Sequence, residues 1–519
     1  MAIFAALKYC FGLRFGVVGT ILFIILYGVL TNFSVSTNRA VVMMIILLVA
    51  QLIGRTYDSM SALSLSALLI LIKEPMQIYN SGFLLSYSAV LGATGFFAAL
   101  KELLAIPVLD QHKRLRHIAE SLLLSVAIFL VTLPVVLSTF YTLPLYSIFL
   151  NLLVIPCIPL VVLLGMAGGI LGCFHLGLGT FLLAGAHYIL KLYHLFCEGV
   201  EALPWHTLVI GKQDTYQIIL YLGLLMAGVY LLWQKKKRGG FLFVAALIVE
   251  FYQSPREGLR IAMLDVGQGE CLVVEAPSGH NLMIDCGSTS VSSVGKYRVL
   301  PYLKVRGITT LDAVLITHTD SDHISGLLEL LTTGEREGIE IRELILADTM
   351  LEDEMTEELI TAATKEGVLV SKMKKGDEMK LEELQLRCLH PTPDYITESK
   401  NDTSLVLSLS YREFDLLLTG DVEAPGEHEL VTEGLKEYEV LKVAHHGSKN
   451  SSTDALLSMV SPEIGLISSG KNNRYGHPHQ ELLDRLREYG TLSYCTKEGG
   501  ELVVWADGRR YVVSEYVGE

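Results

Sequence analysis

Apolar and polar positions divide the chain into two parts of different grain. Through about residue 253, apolar runs follow one another and charged residues are confined to the gaps between them. A helix needs about 20 apolar residues to cross a bilayer. Runs near 15–33, 40–54, 58–72, 82–100, 119–138, 144–171, 176–199, 215–233 and 240–252 reach or approach that length. The second, third and last are short, so about seven to nine spans are expected, some as re-entrant or paired hairpins. The start is a weak signal peptide, because Lys8 and Arg14 break its apolar run. The loop KELLAIPVLDQHKRLRH and the run from Lys235 to Arg238 are the most basic connections. About four spans separate them, which puts both on one side, the cytoplasmic one by the positive-inside rule. If the next run, GFLFVAALIVEFY, also crosses, the rest of the chain lies outside the cytoplasm. The stretch Tyr79 to Phe96 is rich in Gly and Ser. Such residues serve close helix packing or a polar lining for a solute path. Glu74, Asn80 and His187 are further polar groups in or near the spans.

From about residue 254 the grain changes. Short β-type runs alternate with helical patterns, which predicts an α/β domain over 254–519 after a membrane domain over 1–253. LRIAMLDVGQGECLVVEAP reads as two strands, HNLMIDCGS as a strand ending on Asp285, and LDAVLITH as a buried strand ending on His318. ISGLLELLTTG reads as a helix. TSLVLSLSYREFDLLLTGD is a hairpin turning near Arg412 and Glu413 and ending on Asp421, and EVLKVAHHGS ends on His445 and His446. Four strands thus stop on a His or an Asp, at Asp285, His318, Asp421 and His445, and in α/β architectures sites gather where strands end.

The turn after LDAVLITH carries His318, Asp320, Asp322 and His323, four metal-binding side chains on one turn. With the other strand ends they predict a metal site. Phosphodiester hydrolysis near neutral pH needs an ionised water and neutralised phosphate charge, and two cations about 4 Å apart supply both. Asp421 could bridge such a pair through its two oxygens.

Composition narrows the choice. Of 519 residues 51% are hydrophobic, and the formal net charge is −14, which argues against a broadly basic nucleic-acid surface. It leaves room for a local groove or a metal that brings its own charge. The eight cysteines form no CxxC pair, so neither a zinc ribbon nor a disulfide framework is indicated.

The motifs DVGQGE, IDCGS, HTDSDHISGL, TGD and HHGS, in this order, resemble the metallo-β-lactamase fold. With the membrane half, they are similar to the ComEC type of DNA-internalisation competence protein. The segment from Arg39 to Leu100 is similar to that family's membrane domain. The resemblance implies a polytopic α-helical membrane domain followed by an αββα sandwich. It implies passage of single-stranded DNA, with a metal-dependent nuclease degrading the other strand. Two divalent ions, Mn, Mg or Zn, would be the cofactors. His318 and Asp320 would serve one; Asp322 and His323 would serve the other, with Asp322 also activating the water. Asp421 matches the bridging carboxylate, His445 or His446 the late imidazole, and Asp285 an orienting residue beside the ligands. Two departures stand out. Asp320 replaces a usual His, which hardens the site toward Mn²⁺ or Mg²⁺. Asn401 stands where another His is usual, with His390 as a substitute ligand or a strand-end cap. Members of that family usually carry further N-terminal spans and an OB-like domain, so a shortened member or a fragment is expected.

Ser448, Lys449, Asn450, Arg474, Tyr475 and His477 are candidate phosphate contacts, or a plain polar rim. Besides DNA and the lipid bilayer, the expected partners are a separate DNA receptor, a separate ATPase motor, since no Walker A motif is present, and a second copy of the chain. Two rival readings remain: a membrane-anchored metallohydrolase of another phosphodiester or ester, and a DNA-transport protein without turnover. The expected location is the cytoplasmic membrane, with the metal domain on the extracytoplasmic side.

Overall fold

A computed structural model describes residues 2–104, 112–350, 353–395, 397 and 399–516. They form two compact units, Met1–Tyr252 and Gln253–Glu519.

In the first unit, seven helices among the described residues are long and apolar enough to cross a membrane. Ser59–Lys73 and Gly239–Glu250 are shorter apolar helices. The second span is longer than its apolar run: helix Val35–Leu52 starts five residues earlier and takes in Asn38 and Arg39. Arg39 is accommodated because its Nε donates to Ser86 Oγ at 2.7 Å. In Ser147–Phe174 none of the most apolar window is buried within the unit. Its Leu and Ile side chains therefore need an apolar surround, which a bilayer provides. That helix pairs with Leu176–Glu201 through glycines: a Cβ on Gly179 would stand 2.4 Å from Gly172 Cα. Backbones approach this closely only where side chains are absent.

The Gly- and Ser-rich stretch spends its polar groups locally. Asn80 Oδ1 accepts from Phe83 N at 3.2 Å and caps helix Ser81–Leu91. Tyr87 pairs with Ser66 at 3.0 Å in a buried contact. A Cβ on Gly92 would sit 2.8 Å from Ile128 Cα, so this glycine serves helix packing. Glu74 accepts from Gln77 Nε2, and His187 is exposed. In the basic loop that begins at Lys101, residues 105–111 lie outside the described residues.

The second unit is a two-sheet sandwich. One sheet runs Leu369–Met373, Glu343–Ala347, Ala313–Leu315, Asn281–Ile284, Leu272–Glu275, Leu259–Met263, Leu502–Ala506, Tyr511–Glu515. The other runs Glu378–Leu381, Leu384–His390, Val406–Tyr411, Phe414–Leu418, Val440–Lys442, Ile464–Ile467, Leu492–Cys495. Neighbours pair parallel where a helix connects them, as Ala313–Leu315 does with Glu343–Ala347 across Ser321–Thr333. The hairpin turns at Arg412, whose positive φ of 56° suits a two-residue connection. Helices Ala424–Glu433, Asp454–Val460 and Gln480–Glu488 bury Leu430, Leu456, Leu457, Leu482 and Leu486 against the second sheet's Leu417, Leu441 and Ile467.

This packing fixes the turn that carries the metal-type side chains. A Cβ on Gly287 would lie 2.4 Å from Asp322 C and 2.5 Å from His323 N. Only glycine lets the loop after strand Asn281–Ile284 lie directly on the start of helix Ser321–Thr333.

Candidate metal centre

The strand-end residues converge. Asp285, His318, His323, Asp421 and His446 come from four strand ends, and all five are buried. Two of them, Asp285 and His446, together with the partly exposed His445, mark bent backbone, with positive φ of 55°, 54° and 49°. A non-glycine residue there is uncommon, and strain of this kind is found where a side chain must be aimed.

The sequence left His445 and His446 undivided; the backbone turn separates them. His446 points inward, its Nε2 at 3.4 Å from both Asp322 Oδ2 and Asp421 Oδ2. His445 is partly exposed and its Nδ1 faces Glu423 Oε1 at 3.0 Å, leaving its Nε2 4.0 Å from Asp421. Of the two candidates, His446 therefore faces the other metal-type side chains, and His445 lies at the edge.

Hydrogen bonds set which ring nitrogen each histidine presents. His446 Nδ1 donates to Ser468 O at 3.0 Å. His323 Nδ1 donates to Asp285 Oδ2 at 2.8 Å. His318 Nδ1 lies 3.2 Å from Thr317 Oγ1 and 3.4 Å from Ser404 Oγ. Each ring thus offers Nε2 to the centre. The Nε2 atoms of His323 and His446 are buried and have no hydrogen-bond partner among the described residues. Orphaned imidazole nitrogens aimed at a buried carboxylate fit a divalent cation. Asp285 orients rather than ligates: one oxygen accepts from His323 Nδ1 and the other from the Thr317 backbone N–H at 2.8 Å.

The electrostatics agree. Burial opposes charge on His323 and His446, yet Asp421 with Asp285, and Asp421 with Asp322, push these imidazoles above the usual range. Burial also opposes ionisation of Asp322, but His446 and His323 hold its carboxyl at about 2. His318 goes the other way, to about 4, because it is buried beside His323. The centre calls for added positive charge, which a metal supplies once the imidazoles are neutral.

Asp320 is not part of the inner group. It takes the N-cap position of helix Ser321–Thr333 without a side-chain cap bond and is 42% exposed. It lies 3.8 Å from His318 Nε2 and 3.4 Å from Lys400 Nζ. Asn401 occupies the short turn Asn401–Thr403, where its carbonyl accepts from Ser404 N. His390 caps its strand end, its Nε2 donating to Asp402 O at 2.8 Å, so the cap reading describes it.

Two residues of the centre carried no signal as sites in the sequence. Glu270, from the DVGQGE turn, groups with Asp421 and His446 and with Asp285 and His323. Lys442, fully buried, pairs with Glu270, donates to Gly420 O at 2.7 Å and stands 3.5 Å from Asp421 Oδ1. A lysine inside the apolar run EVLKVAHH was the one available clue.

Comparison with known proteins assigns the two parts of the chain separately. Residues 1–235 match the family described as Competence protein, and residues 264–471 match the Metallo-beta-lactamase superfamily. The chain is a competence-family membrane domain joined to a metallo-β-lactamase domain. ComE operon protein 3 of Bacillus subtilis (strain 168) is 28% identical over 507 residues, covering 93% of this chain and 62% of that protein. Recombination protein 2 of Haemophilus influenzae is 26% identical over 545 residues, covering 95% of this chain and 63% of that protein. The chain thus spans less than two thirds of the length of these relatives. Among solved structures, it is similar to the metallo-beta-lactamase fold protein YhfI from Bacillus subtilis. That match has 13% identity and a TM-score of 0.35, and covers 48% of this chain and 100% of that one.

In the metallo-β-lactamase domain a rim of rings leads outward from the centre. His477 is buried, its ring 5.5 Å from that of His445 and 6.4 Å from that of His446. Tyr475 stacks on His477 at 5.6 Å, and Arg474 Nη2 donates to the Tyr475 hydroxyl at 2.7 Å. Lys449, Asn450, Arg474 and Tyr475 are exposed, whereas Ser448 is buried and accepts from Asn450 N at 3.3 Å.

Asp285→Asn tests the orienting role. Asparagine keeps the shape but can present an amide to His323 Nδ1–H. Divalent-cation affinity, measured by calorimetry on the purified chain, is expected to fall roughly 10–100-fold with the fold intact.

Proposed function

We propose that this competence-family chain takes part in DNA uptake across the cytoplasmic membrane. Its membrane domain would pass a single strand, and its metallo-β-lactamase domain would hydrolyse phosphodiester bonds of the other. The observation that carries the hydrolytic part is the buried set of His323, Asp421 and His446 beside the half-buried Asp322, with free Nε2 atoms turned to one carboxylate. These four residues would hold a divalent cation. A cation there supplies an ionised water near neutral pH and offsets phosphate charge.

The chain's own groups do the rest. Asp285 and Ser468 keep the proton on the far nitrogen of His323 and His446, so the near nitrogens stay available. Asp322, ionised at neutral pH, can accept a proton from an attacking water. Arg474 and Lys449, exposed near the rim, suit phosphate contacts. A separate receptor and motor would bring DNA to the chain, and the metal domain would act outside the cytoplasm.

The purified full chain would be incubated with end-labelled single- and double-stranded DNA and Mn²⁺, Mg²⁺ or Zn²⁺, beside Asp322→Ala. Cleavage with one of these ions, lost in the variant, is expected. Equal background in both proteins would defeat the nuclease reading. It would favour either a transport part without turnover or another ester substrate.

A further inference from the structure

The donors around Asp421 are unevenly shared. One of its oxygens, Oδ2, lies 3.3 Å from His323 Nε2 and 3.4 Å from His446 Nε2, and Asp322 Oδ2 lies 3.4 Å from the same His446 nitrogen. Four residues therefore surround one position, enough for a cation with water completing its shell.

The neighbouring position is different. A cation there would draw on His318, Asp320 and the second Asp421 oxygen. Both carboxylates already face an ammonium. Lys400 Nζ stands 3.4 Å from Asp320 Oδ1 and is anchored by Asp353. Lys442 Nζ stands 3.5 Å from Asp421 Oδ1, close enough for charge attraction though without a hydrogen bond, and is held in place by Glu270 and Gly420 O. Among the described residues the other imidazole that groups with His318 and Asp421 is His323, which the first position already uses. His390 is turned to the Asp402 carbonyl, and Asn401 takes the place where the resemblance implied one. Two fixed positive charges beside a site with one imidazole repel a second divalent ion and do part of its work on the two carboxylates.

We infer that this domain holds one divalent cation, at Asp322, His323, Asp421 and His446, and that the ammonium groups of Lys400 and Lys442 take the place of a second. The expectation of a two-cation site bridged through both Asp421 oxygens is replaced accordingly. The inference rests on the metal-centre reading but not on DNA as substrate.

The test counts metal. The purified full chain is loaded with Mn²⁺, dialysed, and examined by elemental analysis and electron paramagnetic resonance. About one equivalent per chain with an uncoupled Mn²⁺ spectrum is expected. It should be lost in Asp322→Asn and kept in Asp320→Asn. Lys400→Met, at a partly exposed position, should admit a second, weaker equivalent and produce spin-coupled lines. Two equivalents with a coupled spectrum in the unaltered chain would overturn the inference, as would loss of the ion in Asp320→Asn alone. A Lys400→Met chain that still takes a single equivalent would overturn the role given to that lysine. No outcome depends on cleavage, so a chain holding one ion yet inactive on DNA defeats only the proposed substrate.

Discussion

Asp421→Ala is expected to abolish divalent-cation binding and to lower any hydrolysis by this chain at least roughly 10²–10³-fold, the scale of removing one preorganised electrostatic partner. No other side chain in the centre meets so many partners: His323, His446, His445 and Lys442 all face it within 4.0 Å. Its carboxyl is held well below the usual range: burial opposes this, but His446, His323 and Lys442 outweigh it. Removing it takes away the carboxylate that His323, His446 and Lys442 share. Calorimetric titration with Mn²⁺, alongside hydrolysis of a generic phosphodiester, would check this. Normal binding in the variant would show that the centre is misassigned. Asp320→Asn is the useful contrast, because that side chain is partly exposed and already neutralised by Lys400.

Lys442→Met should destabilise the metallo-β-lactamase domain by about 3–5 kcal/mol, the cost of leaving a buried charge without its partner. Lys442 and Glu270 are both nearly inaccessible, and each is the other's closest counter-ion. Replacing both, as Glu270→Gln with Lys442→Met, should recover much of the loss, since the orphaned carboxylate is then gone. Thermal unfolding of the full chain, with its cation removed by a chelator, would measure the cycle. Additive losses in the double variant would mean that the two residues act independently. A Lys442→Met protein as stable as the original would mean that the pair contributes little.

Much of this was legible along the chain because it depends on local patterning. The apolar runs mark helices by length alone, since a bilayer core demands a fixed span. The turns that carry Asp285, His318 and Asp421 could be read because a β-run gives way near its first charged or imidazole side chain, although the strands stop at Ile284, Leu315 and Leu418, so that His318 and Asp421 come three residues later than expected. The dense turn from His318 to His323 needed no fold to suggest a metal.

Tertiary structure decided what depends on pairing distant segments or on one dihedral angle. His445 and His446 are equal in sequence, and the left-handed turn aims one inward and the other at Glu423. Asp320 looked equal to Asp322, but the helix start turns Asp322 toward His446 and leaves Asp320 to Lys400. Helix Val35–Leu52 could extend over Arg39 because Ser86, on another helix, accepts a hydrogen bond from its Nε. Glu270, in the turn between two strands of one sheet, and Lys442, at the end of a strand of the other, gain their meaning only where the two meet. The sequence by itself determined a multi-span apolar half, an α/β half and the chemical type of the centre, because hydrophobic period and residue type are local properties. Which donors share a point, and which charges already stand there, was decided by the fold, because Coulomb interactions follow distance in space and not along the chain.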